Sequence, residues 1–258
     1  MADDDQDQGV ASKAIEPKQL HRAVRREGED ELGRPVQSLF WSGLAAGLAV
    51  SASLVAEGAF HRHAAPGPGR ALIESLGYPF GFLIVVMGRM QLFTESTITA
   101  MLPLVHRPSW WALWRTARLW AVVLCANLIG TAIMSALFAS GALGGAEGRD
   151  AMVAVSRVVV ERSPAETLVR ALPAGFLLAA IAWTLSNARQ QAFLVVFAIT
   201  YLVAIGEFSH SIVGSVEAFL LAWIGTITVG EAVFGFLLPA IIGNLIGGAG
   251  LFALLAHA

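Results

Sequence analysis

His210 stands in the stretch Gly206-Glu207-Phe208-Ser209-His210-Ser211-Ile212, in the middle of an apolar run from Phe193 to Trp223 that also carries Glu217. A helix needs only about 20 residues to cross a bilayer, so this run is too long for one plain crossing. Ionisable groups inside such a run are costly in lipid and mark solute or proton pathways. An imidazole there can donate a hydrogen bond to an anion or lend it a proton, because its ordinary pKa lies at about 6.5. The equally plain alternative is a histidine that only satisfies backbone groups freed by a broken helix. Ser209 beside it can ligate a solute or cap the restarted helix. A glycine followed by polar residues suggests a helix that stops and restarts, which persists only where protein or a cavity covers the free backbone groups.

A second run, from Ala71 to Val105, is built the same way and is interrupted by Arg89, Gln91, Thr94, Glu95, Ser96 and Thr97. Thr94 is a candidate hydroxyl ligand. Arg89 and Glu95 read as a buried pair bracing the loop, and Arg89 would attract anions if it faced a pore instead. Phe80, Phe82, Phe93 and Phe208 are candidates for apolar constrictions. An enzyme is the least expected class, because no nucleophile–base pair, phosphate loop or metal-ligand spacing appears. His61 with His63 in one loop is thin ground for a metal, and no cofactor is expected.

The elements that must position these groups follow from composition. Of the 258 residues 56% are hydrophobic and only 14% charged, against about 25% charged in a soluble domain; mean hydropathy is +0.65. The reading is an all-α polytopic membrane protein. No basic tract with interleaved aromatics points to nucleic acid. Cys125 is the single cysteine, which excludes an internal disulfide, and it reads as a small buried hydrophobe.

Residues 1–35 form an expected cytosolic tail. Asp3, Asp4, Asp5 and Asp7 open a segment with little to pack, expected to be disordered. From Pro17 to Leu32, Leu20, Val24 and the Arg22, Arg25, Arg26 group give a short amphipathic helix. No apolar stretch in this tail resembles a signal peptide, so insertion is assigned to the first span.

The channel domain, 36–258, is read as six spans: Val36 to Ala56, the broken run 71–105, Leu119 to Phe138, Leu168 to Leu185, the broken run 193–223, and Val233 to Leu255. Ser42, Gly43, Ala46 and Gly47 give the first span a small-residue face for close helix approach. The loop from Glu57 to Arg70 reads as a plain interruption. Trp110, Trp111, Trp114 and Trp120 read as an interfacial belt. Lysines and arginines are denser in the tail and in the short loops with Arg107, Arg115, Arg118 and Arg189, which places both termini in the cytoplasm of an inner-membrane protein.

The halves are related. Ala126-Asn127-Leu128-Ile129-Gly130 matches Gly243-Asn244-Leu245-Ile246-Gly247, 117 residues later, and Phe93-Thr94 is paired with Phe208-Ser209, 115 apart. With three spans per half the second half enters from the opposite side, giving a three-plus-three inverted repeat whose broken helices meet near the midplane. Asn127 and Asn244 are expected to bond the loop backbones. Half-helix N-termini at the centre favour an anion.

Gln91-Leu92-Phe93-Thr94 and His210-Ser211-Ile212, with the repeated Asn-Leu-Ile-Gly, resemble the formate/nitrite transporter family over roughly residues 36–256; Gly88-Arg89-Met90-Gln91-Leu92-Phe93-Thr94-Glu95 looks most like its YfdC-like branch. The resemblance implies an aquaporin-like fold, a homopentamer with one pore per subunit, and passage of small monovalent anions or their conjugate acids. It implies that Thr94 and His210 face each other across the pore between apolar constrictions. Where the family has a glutamate before the histidine this chain has Ser209, with Glu207 nearby; where it has an asparagine soon after, this chain has Gly214. Arg162 most nearly matches a family lysine at the outer mouth.

The function read from this is a channel or proton-coupled transporter for formate, nitrite or a similar weak acid. The alternatives are a neutral-solute pore, and a non-conducting scaffold or sensor whose N-terminal tail binds a cytosolic partner.

Overall fold

The computed structural model describes residues 17–253 and Leu255, so the acidic opening of the chain lies outside the described residues. Every regular element among them is helical. Among the described residues five helices are long and apolar enough to cross a membrane: Val36–His63, Arg70–Met87, Trp110–Ala139, Pro164–Leu185 and Glu231–Phe252. Arg189–Ile205 and Ser211–Trp223 are shorter apolar helices.

Helix α1 (Pro17–Gly33) precedes the first span, which is α2 (Val36–Val50) continued by α3 (Ala52–His63). Helix therefore runs through Glu57 to His63, where the sequence reading places a loop, and Glu57 is buried within it. Next come α4 (Arg70–Ser75) and α5 (Pro79–Met87), a break, and α6 (Ser96–His106). Helix α7 (Trp110–Ala139) starts nine residues before the expected third span, because the Ser109 hydroxyl caps it by accepting the Ala112 N–H at 3.1 Å. Helices α8 (Gly145–Ser156) and α9 (Val158–Glu161) lead to α10 (Pro164–Leu185). It starts four residues before the expected fourth span, because Ser163 and Glu166 form a capping box around Pro164. Helix α11 (Ala192–Ile205), a second break, and α12 (Ser211–Trp223) follow. The last span winds as a π-helix over Glu231–Leu237, as α13 (Leu238–Leu245), then as a π-helix over Ile246–Phe252.

Two close helix pairs frame the interior, α2 on α7 and α10 on α13. Glycines set the separation. A Cβ at Gly47 would lie 2.2 Å from the Asn127 carbonyl oxygen, and one at Gly175 2.2 Å from that of Asn244. Between the pairs Phe82, Leu92, Phe93, Val123 and Ile212 form a core with at most 1% exposure. The outer face is apolar instead: Trp110, Trp111, Trp114, Phe193 and Phe234 are all more than half exposed, as suits a surface that meets lipid rather than water.

Three sequence readings change here. Trp120 is no belt residue, since its indole N–H donates to the Ser96 carbonyl at 3.1 Å. Cys125 is exposed rather than buried. Phe80 is 46% exposed, against Phe60, and lines no constriction.

Helix α1 packs on α6 through Val24, which sits with Ile98 and Leu102, and Gly28, where a Cβ would overlap the Thr99 carbonyl oxygen. Leu20, Val24, Gly28 and Leu32 lie four residues apart and so share one face.

Candidate functional site

Both breaks end their helices in the same way. Met90 N–H donates to Val85 O at 3.0 Å and Arg89 N–H to Val86 O at 3.1 Å; Phe208 N–H donates to Val203 O at 3.0 Å and Glu207 N–H to Ala204 O at 2.9 Å. These are Schellman motifs, whose turning residue takes a left-handed backbone and is usually glycine. Here it is Arg89 (φ 51°) and Glu207 (φ 52°), at a strain of about 1 kcal/mol or more each. Gly206, one residue earlier, makes room for the Phe208 ring, which a Cβ would approach to 2.7 Å.

One asparagine latches each break. Asn127 Oδ1 accepts the Phe93 N–H at 2.9 Å, and its Nδ2 donates to Gly43 O at 2.8 Å and Gln91 O at 2.9 Å. Asn244 Oδ1 accepts the Ser211 N–H at 2.8 Å, and its Nδ2 donates to Ala171 O at 2.9 Å and Ser209 O at 3.0 Å. Each amide ties two backbone groups of its break, which no helix satisfies, to a carbonyl of a neighbouring helix, Gly43 of α2 or Ala171 of α10. The matching bonds pair Gly88 with Gly206 and Phe93 with Ser211, so Phe93 is not the counterpart of Phe208 as the sequence spacing suggested. That pairing rested on a shared phenylalanine, whereas hydrogen bonding sets the register.

The breaks meet at Thr94 and His210, whose Oγ1 and Nε2 are 2.8 Å apart and which are 1% and 2% exposed. His210 is also the N-cap of α12: its Nδ1 accepts the Val213 N–H at 3.1 Å. A nitrogen accepting an N–H carries no proton, so the neutral ring holds its proton on Nε2 and donates to Thr94. The cap is thus His210 itself rather than Ser209, and a second proton on the ring would break it. The Thr94 hydroxyl hydrogen stays available to a solute. The Phe82 ring stands edge-on to His210, with centroids 5.1 Å apart.

A cavity of about 470 Å³ opens on the α1 side, lined by Glu31, Arg34, Arg89, Gln91, Leu92 and Glu95 among others. A smaller one of about 120 Å³ on the opposite side reaches His210 and Ser209 past Phe208, Glu57, Tyr78 and Glu217. Arg89 and Glu95 share the first cavity but form no ion pair, because the left-handed turn at Arg89 carries its side chain outward to an exposed position. Glu207 is not buried in the interior. Its side chain is 63% exposed and binds Arg162 at 2.9 Å, with Arg170 at 3.5 Å. Arg162 therefore reaches the second mouth already engaged, its other nitrogen donating to the Glu207 carbonyl at 3.0 Å. Phe93 is packed in the core with its N–H latched, while Phe208 lines a cavity wall.

Sequence reasoning missed Glu31, Glu57 and Tyr78. A carboxylate in the last turn of an amphipathic helix looks solvated, and Glu57 was hidden by a helix taken for a loop. Glu31 accepts from Thr99 Oγ1 at 2.5 Å and Gln91 Nε2 at 3.0 Å. Burial, opposed by these two bonds, holds its carboxyl above the ordinary carboxylate range. A raised folded pKa makes the docking of α1 strongest in acid, and it weakens as pH rises through that value. A spin label at position 26, in a Cys125→Ala background, should therefore gain mobility as pH rises. Glu31→Gln should flatten the response.

Comparison with known proteins accords with this geometry. A family model described as "Formate/nitrite transporter" matches residues 18–258. The chain is 40% identical over 239 residues to the inner membrane protein YfdC of Escherichia coli (strain K12), covering 93% of this chain and 77% of that protein. It is 28% identical over 185 residues to the uncharacterized transporter YrhG of Bacillus subtilis (strain 168), covering 69% and 68%. Among solved structures, a pentameric formate channel with formate bound superposes with a TM-score of 0.74 at 20% identity, over 86% of this chain and 96% of that one. An FNT family ion channel gives 0.71 at 17% identity, over 92% and 94%. The chain belongs to the formate/nitrite transporter family.

Proposed function

We propose that this protein is an inner-membrane channel or transporter for a small monovalent anion such as formate or nitrite, or its conjugate acid. The observation that carries the reading is the buried hydrogen bond between Thr94 and His210, which joins two broken helices between two cavities. Helices α6 and α12 begin beside this centre, and their N-termini favour negative charge. The solute takes the Thr94 hydroxyl hydrogen and competes for the His210 Nε2–H. Phe82, Leu92 and Phe93 leave no polar shell for a bare ion around this centre, so a neutral acid passes at lower cost than its anion.

The matching breaks and latches support six spans in a three-plus-three inverted repeat, and the lysine and arginine density of the tail and short loops supports both termini in the cytoplasm. The likeness to a pentameric formate channel supports a homopentamer with one pore per subunit. Residues 1–35 form the cytosolic tail and 36–258 the channel.

Flux of formate and nitrite in proteoliposomes tests the reading. Thr94→Ala and His210→Ala should each change flux roughly tenfold, the equivalent of one strong polar interaction of about 1.4 kcal/mol. Folded wild-type protein that passes no small anion would overturn the reading in favour of a neutral-solute pore or a scaffold.

A further inference from the structure

Glu57 on α3 and Glu217 on α12 are each 8% exposed and line the small cavity that reaches Ser209 and His210. Two buried polar atoms on residues of this wall have no hydrogen-bond partner among the described residues: Glu57 Oε2, and Ser209 Oγ on a residue 4% exposed. Among the described residues, neither carboxyl is in an ion pair. The cation of this cavity, Arg162, is held by Glu207. Glu74, the remaining acid near Glu57, is taken by Arg70 at 2.7 Å and His61 at 2.9 Å. Tyr78, 7% exposed, is the other titratable group of the wall.

Fully ionised, Glu57, Glu207 and Glu217 would outnumber Arg162 and Arg170 at the mouth an anion must enter. Two carboxylates in one small cavity would also bear mutual repulsion and a desolvation cost that no partner offsets. A proton held on the pair removes both penalties. His210 cannot supply that proton while its Nδ1 caps α12.

We propose that Glu57 and Glu217 form a proton-holding carboxyl pair that protonates the incoming weak-acid anion before it reaches the Thr94–His210 centre. The proposal rests on the weak-acid reading of the pore. In the step, the carboxyl O–H bond breaks as an O–H bond forms on the solute oxygen. The solute continues as the neutral acid, and the carboxylate left behind regains a proton from water at the same mouth, where the hydroxide formed stays in the bulk on that side. Ser209 and Tyr78 line the same cavity.

Two measurements on the full chain test this. Infrared spectra of the protein in lipid should show a protonated-carboxyl C=O band at neutral pH that is lost in Glu57→Gln/Glu217→Gln. In proteoliposomes, that double variant should lower formate-linked proton uptake at least roughly tenfold. An infrared spectrum unchanged by the substitutions would overturn the pair, and so would a variant with wild-type proton uptake. Wild-type protein that moves no formate yet shows the band would sink the weak-acid reading while leaving the proton-holding pair standing.

Discussion

Asn244→Ala is expected to cost about 2 kcal/mol or more, lowering the melting temperature in detergent by roughly 6 °C and abolishing flux. The substitution strands two buried backbone groups at once, the Ser211 N–H and the Ser209 carbonyl, and removes the tie to the Ala171 carbonyl of α10. Each unmade bond costs about 1–3 kcal/mol in a dry interior, and polar contacts in membrane proteins fall toward the low end of that range. Asn127→Ala should behave alike, freeing the Phe93 N–H and the Gln91 carbonyl and removing the tie to the Gly43 carbonyl of α2. The loss is functional as well as structural, because Ser211 adjoins His210 and Phe93 adjoins Thr94. Thermal denaturation followed by fluorescence-detected size exclusion reads the effect. A variant within about 1 kcal/mol of wild type would show that water or a shifted backbone satisfies the break.

Gly47→Ala and Gly175→Ala form the second test, with an expected cost of about 1–3 kcal/mol and a melting temperature lower by roughly 5 °C each. One added methyl would lie 2.2 Å from a backbone carbonyl oxygen in either case, far inside contact distance. Backbone cannot rotate away as a side chain can, so α2 must move off α7, or α10 off α13. The carbonyls concerned belong to Asn127 and Asn244, so the movement also drags the latches. Gly235→Ala is the control. Nothing lies within 4 Å of a Cβ there, and stability should hold or rise slightly. Equal effects at all three positions would mean that close packing at Gly47 and Gly175 does not set the cost.

Much of the site was legible because lipid makes polar residues conspicuous. Thr94 and His210 stood out as groups that an apolar run has no reason to carry, and the structure brings them within hydrogen-bonding distance. Asn127 and Asn244 stood out through the repeated Asn-Leu-Ile-Gly. The repeat register was read differently because Phe93-Thr94 and Phe208-Ser209 look alike as residue types. Backbone hydrogen bonding, which aligns Phe93 with Ser211, leaves no trace in residue type. Arg89 and Glu95 were paired on charge and nearness in sequence; a left-handed turn at Arg89 separates them.

By itself the sequence determined that this chain lives in a membrane, where its helices break, and that the breaks carry hydroxyl, imidazole and amide groups. These follow from composition and local pattern, since burying charge in lipid is expensive wherever it occurs. Tertiary structure alone decided that His210 spends Nδ1 on the α12 cap, that Arg162 is occupied by Glu207, and that Glu57 and Glu217 open into one cavity. Each of these depends on which atoms meet across segments distant in the chain, and the direction of a side chain is settled only when helices pack.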